Sequence, residues 1–240
     1  MVLKQKPMSY PMSHHLMDVF IRGERDYIQG TQMVARASDW LRSNISQPDT
    51  AVLKQCQFTE ITKNKILLVP LEVVKQTPDL NARMVGRAQW LPDQNIETAP
   101  LDFAFVYAKE QAPAYDKQMN LSHQLTSGPK PLDAEVKFSH VCGVEDALNL
   151  FVQSIKQCHS NISADVIDVW WTGMRGGNFP LIWPSEWTAG QLSLTQQRIN
   201  GKDRSYQSMT RAKFMFSQST LEWGKSLEFS VSFAFKSEAM

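Results

Sequence analysis

Ala134-Glu-Val-Lys-Phe138 and, a few residues on, Gly143-Val-Glu-Asp-Ala-Leu-Asn-Leu-Phe-Val-Gln-Ser-Ile-Lys-Gln-Cys-His159 decide how this chain is read. Ala134, Val136 and Phe138 alternate with Glu135 and Lys137, the two-residue period of a strand with one buried face. After the glycine, Val144, Leu148, Phe151, Val152 and Ile155 recur every three or four residues, the period of a helix with one apolar stripe. A helix is therefore predicted over about Gly143–His159. The same order stands earlier in the chain. Met17-Asp-Val-Phe-Ile-Arg22 reads as a strand, Gly30 marks a step, and Met33, Ala37, Trp40 and Leu41 follow at helical spacing. That predicts a second helix over about Gln29–Ser43, closed before Pro48, which cannot continue it.

Strand-like sequence follows each helix. In the first half it comprises Val52–Phe58, Lys65–Val74 with an edge or bulge at Pro70, Ala82–Trp90 and Leu101–Tyr107. In the second it comprises Asp165–Trp171, Leu192–Ile199, Ser205–Phe216 and Leu227–Phe235. Asn200-Gly201 is the strongest short hairpin signal in the chain. Phe103, Phe105 and Tyr107 share one strand face. Leu227, Phe229, Val231, Phe233 and Phe235 share another. The pattern lapses over Glu110–Pro131, where polar and turn-forming residues read as a linker. The predicted organisation is one unit over 1–110, a linker over 111–131 and a second unit over 132–240. A single long helix must bury its stripe, and an antiparallel sheet is the partner available. The expected class is α+β, with two units each made of a central helix wrapped by a curved antiparallel sheet.

Bulk properties narrow the function classes. The 240 residues are 42% hydrophobic and 20% charged, ordinary for a folded globular chain, and exclude a disordered or collagen-like one. A net charge of +1 gives no bias towards nucleic acid or a membrane surface. No apolar run approaches the roughly 20 residues that span a bilayer, and Met1–Pro11 has no run of signal-peptide length. Cys56, Cys142 and Cys158 are odd in number and widely spaced, so reduced thiols and a cytoplasmic location are expected.

Phe138-Ser-His-Val-Cys-Gly-Val144, with Glu145 and later Gln153, resembles a motif of hotdog-fold acyl-thioester proteins. These include 3-hydroxyacyl-carrier dehydratases, acyl-CoA thioesterases and the A-factor synthase group, some of which carry two hotdog units in one chain. Their shared features are a His, a Gly-Val that opens the central helix, an acid in its first turns and a Gln later. Here His140, Gly143, Val144, Glu145 and Gln153 are similar. The acid stands nearer the glycine than in dehydratases, and the proline usual beside that glycine is absent. Aligning Gly30 with Gly143 sets Tyr27 against His140 and Gln32 against Glu145, so the first half has neither the His nor the acid.

The resemblance implies a double hotdog that acts on or binds an acyl thioester, with acyl-CoA or an acyl-carrier protein as partner and no cofactor. Dehydratase, thioesterase or acyl-transferase chemistry would need a proton-transfer group tuned near working pH. His140 and Glu145 are the candidates, at a helix N-terminus whose free N–H groups polarise a carbonyl. Gly143, Gln153, Gln32 and Arg175 are candidate substrate contacts. Fusion makes the chain a pseudo-dimer, as a monomer or a homodimer. A non-catalytic double hotdog that binds an acyl ligand or a protein partner, and an unrelated tandem α+β protein, stand as alternatives.

Other signals are weaker. His140-Val-Cys142 and Cys158-His159 have zinc-ligand chemistry. The intervening helix would hold them about 24 Å apart, too far for ligands at about 2 Å, and no metal site is expected. Gly173-Met-Arg-Gly-Gly-Asn178 reads as a loop in which Arg175 could assist phosphate binding. Trp170, Trp171, Trp183 and Trp187 suit either core packing or an aromatic pocket wall.

Overall fold

The computed structural model describes residues 14–22, 27–93, 99–115, 123–217 and 226–237. The first half opens with β1 (His15–Met17), β2 (Ile21–Arg22) and α1 (Gly30–Asn44). It continues with β3 (Val52–Phe58), β4 (Asn64–Pro70), α2 (Leu71–Gln76), α3 (Pro78–Ala82), β5 (Met84–Leu91) and β6 (Leu101–Gln111). Then come β7 (Ala114–Tyr115), β8 (His123–Ser127), β9 (Ala134–Phe138), α4 (Val144–His159), β10 (Val166–Pro180), β11 (Gly190–Lys202), β12 (Ser205–Phe216) and β13 (Ser226–Ser237). Both predicted helices are present to within a residue.

Eleven strands form one sheet in the order β1-β4-β6-β5-β3-β10-β13-β12-β11-β9-β8, and every pair in it is antiparallel. β2 and β7 pair separately and in parallel. The halves of the chain join at β3–β10, each the first strand after its helix. Gly173 of β10 lies so close to β3 that a Cβ there would sit 2.3 Å from the Cys56 carbonyl oxygen, and its φ of 152° suits only glycine.

α1 and α4 share one face of the sheet and one core. Met33, Ala37 and Leu41 are buried on α1, as are Leu148, Phe151, Val152 and Ile155 on α4, while Trp40 and Val144 are half-buried. The helices run antiparallel. The Thr31 hydroxyl donates to Asn149 Oδ1 at 2.8 Å, and Arg36 Nη2 lies 3.7 Å from Glu145 Oε2. The α+β class is as expected, and a helix laid on an antiparallel sheet is the hotdog outline. α4 ends at His159, whose ring is wholly buried among Phe233 and Phe235. Its Nδ1 donates to the Ile155 carbonyl at 2.8 Å, so Nε2 accepts from the Ser208 hydroxyl at 2.9 Å. Burial pushes the imidazole down to about 4.

Four expectations change. Lys65–Val74 is not one strand: Pro70 ends β4, and Leu71–Gln76 turns into helix, with Val74 packed on the outer face of the sheet against Val69, Ala104 and Val106. Residues 111–131 are not merely a linker. β8 continues the sheet by pairing with β9, and β7 pairs with β2; residues 116–122 lie outside the described residues. The Asn200-Gly201 turn falls inside paired strand, where Gly201 faces Tyr206. The chain reverses instead at Asp203-Arg204, with φ of 52° and 66°, the two positive values that a tight twisted hairpin needs. Gly173–Asn178 is not a loop between strands but part of β10, with a register shift against β3 between Arg175 and Phe179.

Candidate binding site at the start of the first helix

Antiparallel packing sets the start of α1 beside the middle of α4. The N-cap residue Gln29 makes no side-chain capping hydrogen bond to α1, and the first turn of the helix holds no acidic residue. Its leading N–H groups and the positive end of its dipole therefore meet no acid from within the helix's own first turn, and Glu60 lines the cavity beside them. Gly30 lets this terminus settle onto an aromatic ring, since a Cβ there would lie 2.8 Å from Phe58 Cε2.

A cavity of about 600 Å³ opens at this end of the helix. Tyr27, Ile28, Gln29, Gly30, Thr31 and Met33 line it from α1 and the segment leading in, and Val152 and Lys156 from α4. Phe58, Thr59, Glu60 and Ile61 contribute from the end of β3, Asp168–Thr172 from β10, and Lys236 from β13. Met33 and Ile28 are buried, whereas Ile61 is 60% exposed, so the cavity runs from an open rim into the core. At the rim, Asp168 takes a left-handed φ of 51°, and Lys236 reaches it at 3.2 Å while its Nζ lies 5.9 Å from the Trp170 ring centre. An apolar body, a few polar rim groups and a helix terminus with no acid in its first turn suit a ligand with an apolar tail and a polarisable oxygen.

The start of α4 is built differently. Gly143 is the N-cap residue in extended conformation, and the Asp146 carboxylate accepts the Cys142 N–H at 3.0 Å. Glu145 Oε1 lies 2.7 Å from Arg22 Nη1, and Oε2 lies near Arg36, so guanidinium groups engage both carboxylate oxygens. His140 is exposed, has a φ of 63°, and its Nδ1 lies 2.9 Å from Ser139 Oγ. Gln32 is buried on α1, and its Oε1 accepts the Phe20 N–H at 2.7 Å. The structure thus brings Arg36 and Glu145 together where α1 and α4 meet. Gln153 is half-buried on α4. Arg175 projects from the exposed side of β10 towards Met209 Sδ, at 3.7 Å.

None of His140, Gly143, Glu145, Gln153, Gln32 and Arg175 is among the residues that line the cavity. Trp170 and Trp171 line it, whereas Trp183 and Trp187 pack in the core, the latter stacked on Phe216 at 4.0 Å. The rest of the lining was not legible because it comes from five segments spread from Tyr27 to Lys236. The one usable signal was Gly30 opening a helix with no acid in its first turn.

No protein-family model matches the sequence, and neither does any curated protein sequence. Among solved structures, the chain is similar to a conserved protein of unknown function with a hot dog fold from Alicyclobacillus acidocaldarius, with a TM-score of 0.43 and 7% identity over 90% of this chain and 89% of that one. It is also similar to a monomeric dehydratase domain from a trans AT polyketide synthase split module (TM-score 0.40, 7% identity, 94% and 98% coverage). A third is an N-terminal dehydratase from the difficidin assembly line (TM-score 0.33, 9% identity, 93% and 88% coverage). The hotdog reading rests on the sheet order and helix placement described above.

Proposed function

We propose that the chain is a double hotdog that binds an acyl thioester, presented on CoA or an acyl-carrier protein. The thioester carbonyl would lie at the start of α1 and the acyl group in the cavity beneath it. The observation that carries this reading is a helix terminus with no side-chain cap from Gln29 and no acid in its first turn, beside an aromatic-walled cavity of about 600 Å³. Helix-end N–H groups favour the partial negative charge of a polarised carbonyl oxygen. The fused arrangement is supported by the reciprocal helix contacts, Thr31 to Asn149 and Arg36 to Glu145, and by the seam between the first strands after each helix. In this arrangement 1–110 and 132–240 are the two units, 111–131 joins them, and one chain supplies what a hotdog dimer would.

The start of α4 is a second place where chemistry could occur, with His140 exposed beside Ser139. A panel of acyl-CoA and acyl-carrier thioesters, assayed for binding and turnover with wild type, His140→Ala and Glu145→Gln, tests both places. Binding by all three proteins, above that of the free carrier, is expected. Turnover lost only in the variants, by about 10²–10⁴-fold, would move the chemistry to α4. No binding by wild type would reject the acyl-thioester reading.

A further inference from the structure

Two buried aromatic residues of the cavity lining, Trp171 and Phe58, are held by the core. Trp171 is 8% exposed, and its indole N–H donates to the Gly173 carbonyl at 2.7 Å, which fixes the ring along its own strand. Phe58 packs against it at 5.1 Å between ring centres and is held in turn by Phe105 at 5.7 Å and by the start of α1 at Gly30. Behind Trp171 stand further core rings. Phe151, fully buried, meets it edge-on at 5.7 Å, and Phe229 stands 5.1 Å beyond. Packing of this density does not open for a guest chain without losing core contacts.

We infer that Trp171 is the floor of the cavity and that the protein takes compact acyl groups, short-chain or single-ring, and refuses long saturated chains. This rests on the acyl-thioester reading above. A flexible alkyl chain gains affinity with each methylene it buries, and the gain stops where the wall begins. A flat ring also suits walls made of Phe58, Trp170 and Trp171, because aromatic pairs gain from offset and edge-on contact beyond their area. Trp171 is then a specificity-determining residue rather than a reacting one. Val152 lines the cavity from the α4 side.

The full chain is titrated calorimetrically with butyryl-, phenylacetyl-, octanoyl- and palmitoyl-CoA, with free CoA as the reference. Wild type should bind the butyryl and phenylacetyl thioesters at least about tenfold more tightly than the palmitoyl one. Trp171→Ala should improve octanoyl-CoA binding by about tenfold or more. Val152→Phe, which narrows the cavity without removing a core ring, should weaken phenylacetyl-CoA more than butyryl-CoA, and it decides the matter if Trp171→Ala does not fold. A wild-type affinity that climbs steadily to palmitoyl-CoA, or an unchanged chain-length profile in a folded Trp171→Ala, overturns the floor alone, as does equal binding of both compact thioesters by Val152→Phe. No wild-type preference for any thioester over free CoA overturns the parent reading and this one with it.

Discussion

β6 and β13 close their respective halves with closely similar sequences, yet they do different work. In β13, Leu227, Phe229, Val231, Phe233 and Phe235 face the core, while Glu228, Ser230, Ser232 and Lys236 face outward. In β6, Phe103 and Phe105 face the shared core, but the alternate residues Ala104 and Val106 are fully buried as well, beneath Val74 of α2. The outward positions record whether a second layer is coming: serine where the sheet meets water, alanine and valine where a helix covers it. Strand order follows suit. β11, β12 and β13 are consecutive neighbours, whereas β6 lies between β4 and β5, which therefore run parallel and need the α2–α3 crossover between them. The halves share a plan and differ in winding, and the difference falls where the first half carries its extra layer.

The comparison can be broken at its strongest point by Phe151→Ala. Phe151 is fully buried and packs edge-on against Trp171 and Phe229, so its loss should cost roughly 3–5 kcal/mol. An unchanged urea midpoint would remove α4 from the core. Next in size is an acid dependence that belongs to the second half. The folded His159 imidazole titrates at about 4 against 6.5 when unperturbed. Above pH 6.5 neither state holds the proton and the group has no effect. As pH falls from 6.5 towards 4, the unfolded chain binds a proton that the folded one refuses, so stability should drop by up to about 3 kcal/mol. Denaturation midpoints across that window should decline in wild type and lose this component in His159→Phe.

A smaller effect sharpens the contrast from the other side. Val74→Ala removes the main contact of the outer layer and should cost about 2 kcal/mol. Hydrogen exchange should then rise at β4 and β6 and not at β13; equal rises in both would mean that the layer is not specific to the first half. Glu145→Gln is the mildest. The ion pairs with Arg22 and Arg36 are partly exposed, at 15–30% of side-chain area, so the loss should be about 1 kcal/mol and should shrink in high salt. A salt-independent loss would assign Glu145 a role other than charge pairing.

What could be read from the sequence was what periodicity encodes. Phe138, Gly143 and the stripe from Leu148 to Ile155 set strand, step and helix, and the alternation in Leu227–Phe235 set a strand with one wet face. Strand order was not encoded that way, because Leu101–Tyr107 looks like Leu227–Phe235 until Ala104 and Val106 are weighed against Ser230 and Ser232. Local turn chemistry misled once: Asn200-Gly201 has the preferred residues, but pairing of Gly190–Phe138 and Gly190–Phe216 sets a register that carries the strands on to Asp203-Arg204. The proposed site was the least legible part. A motif centred on one glycine drew attention to α4, whereas the cavity is assembled at α1 from residues that meet only after both halves have packed.

The seam between β3 and β10 also bears on how the molecule is made. It joins Gln57 to Gly173, residues that leave the ribosome far apart in time. Until β10 has been synthesised, the outer edge of β3 offers a row of unpaired backbone donors and acceptors, and an unpaired edge is a template for any passing strand. Pairing so distant in sequence is also slow to form. The period of greatest exposure to misassembly therefore ends with a single event: the docking of the stretch that carries Gly173 against its waiting partner.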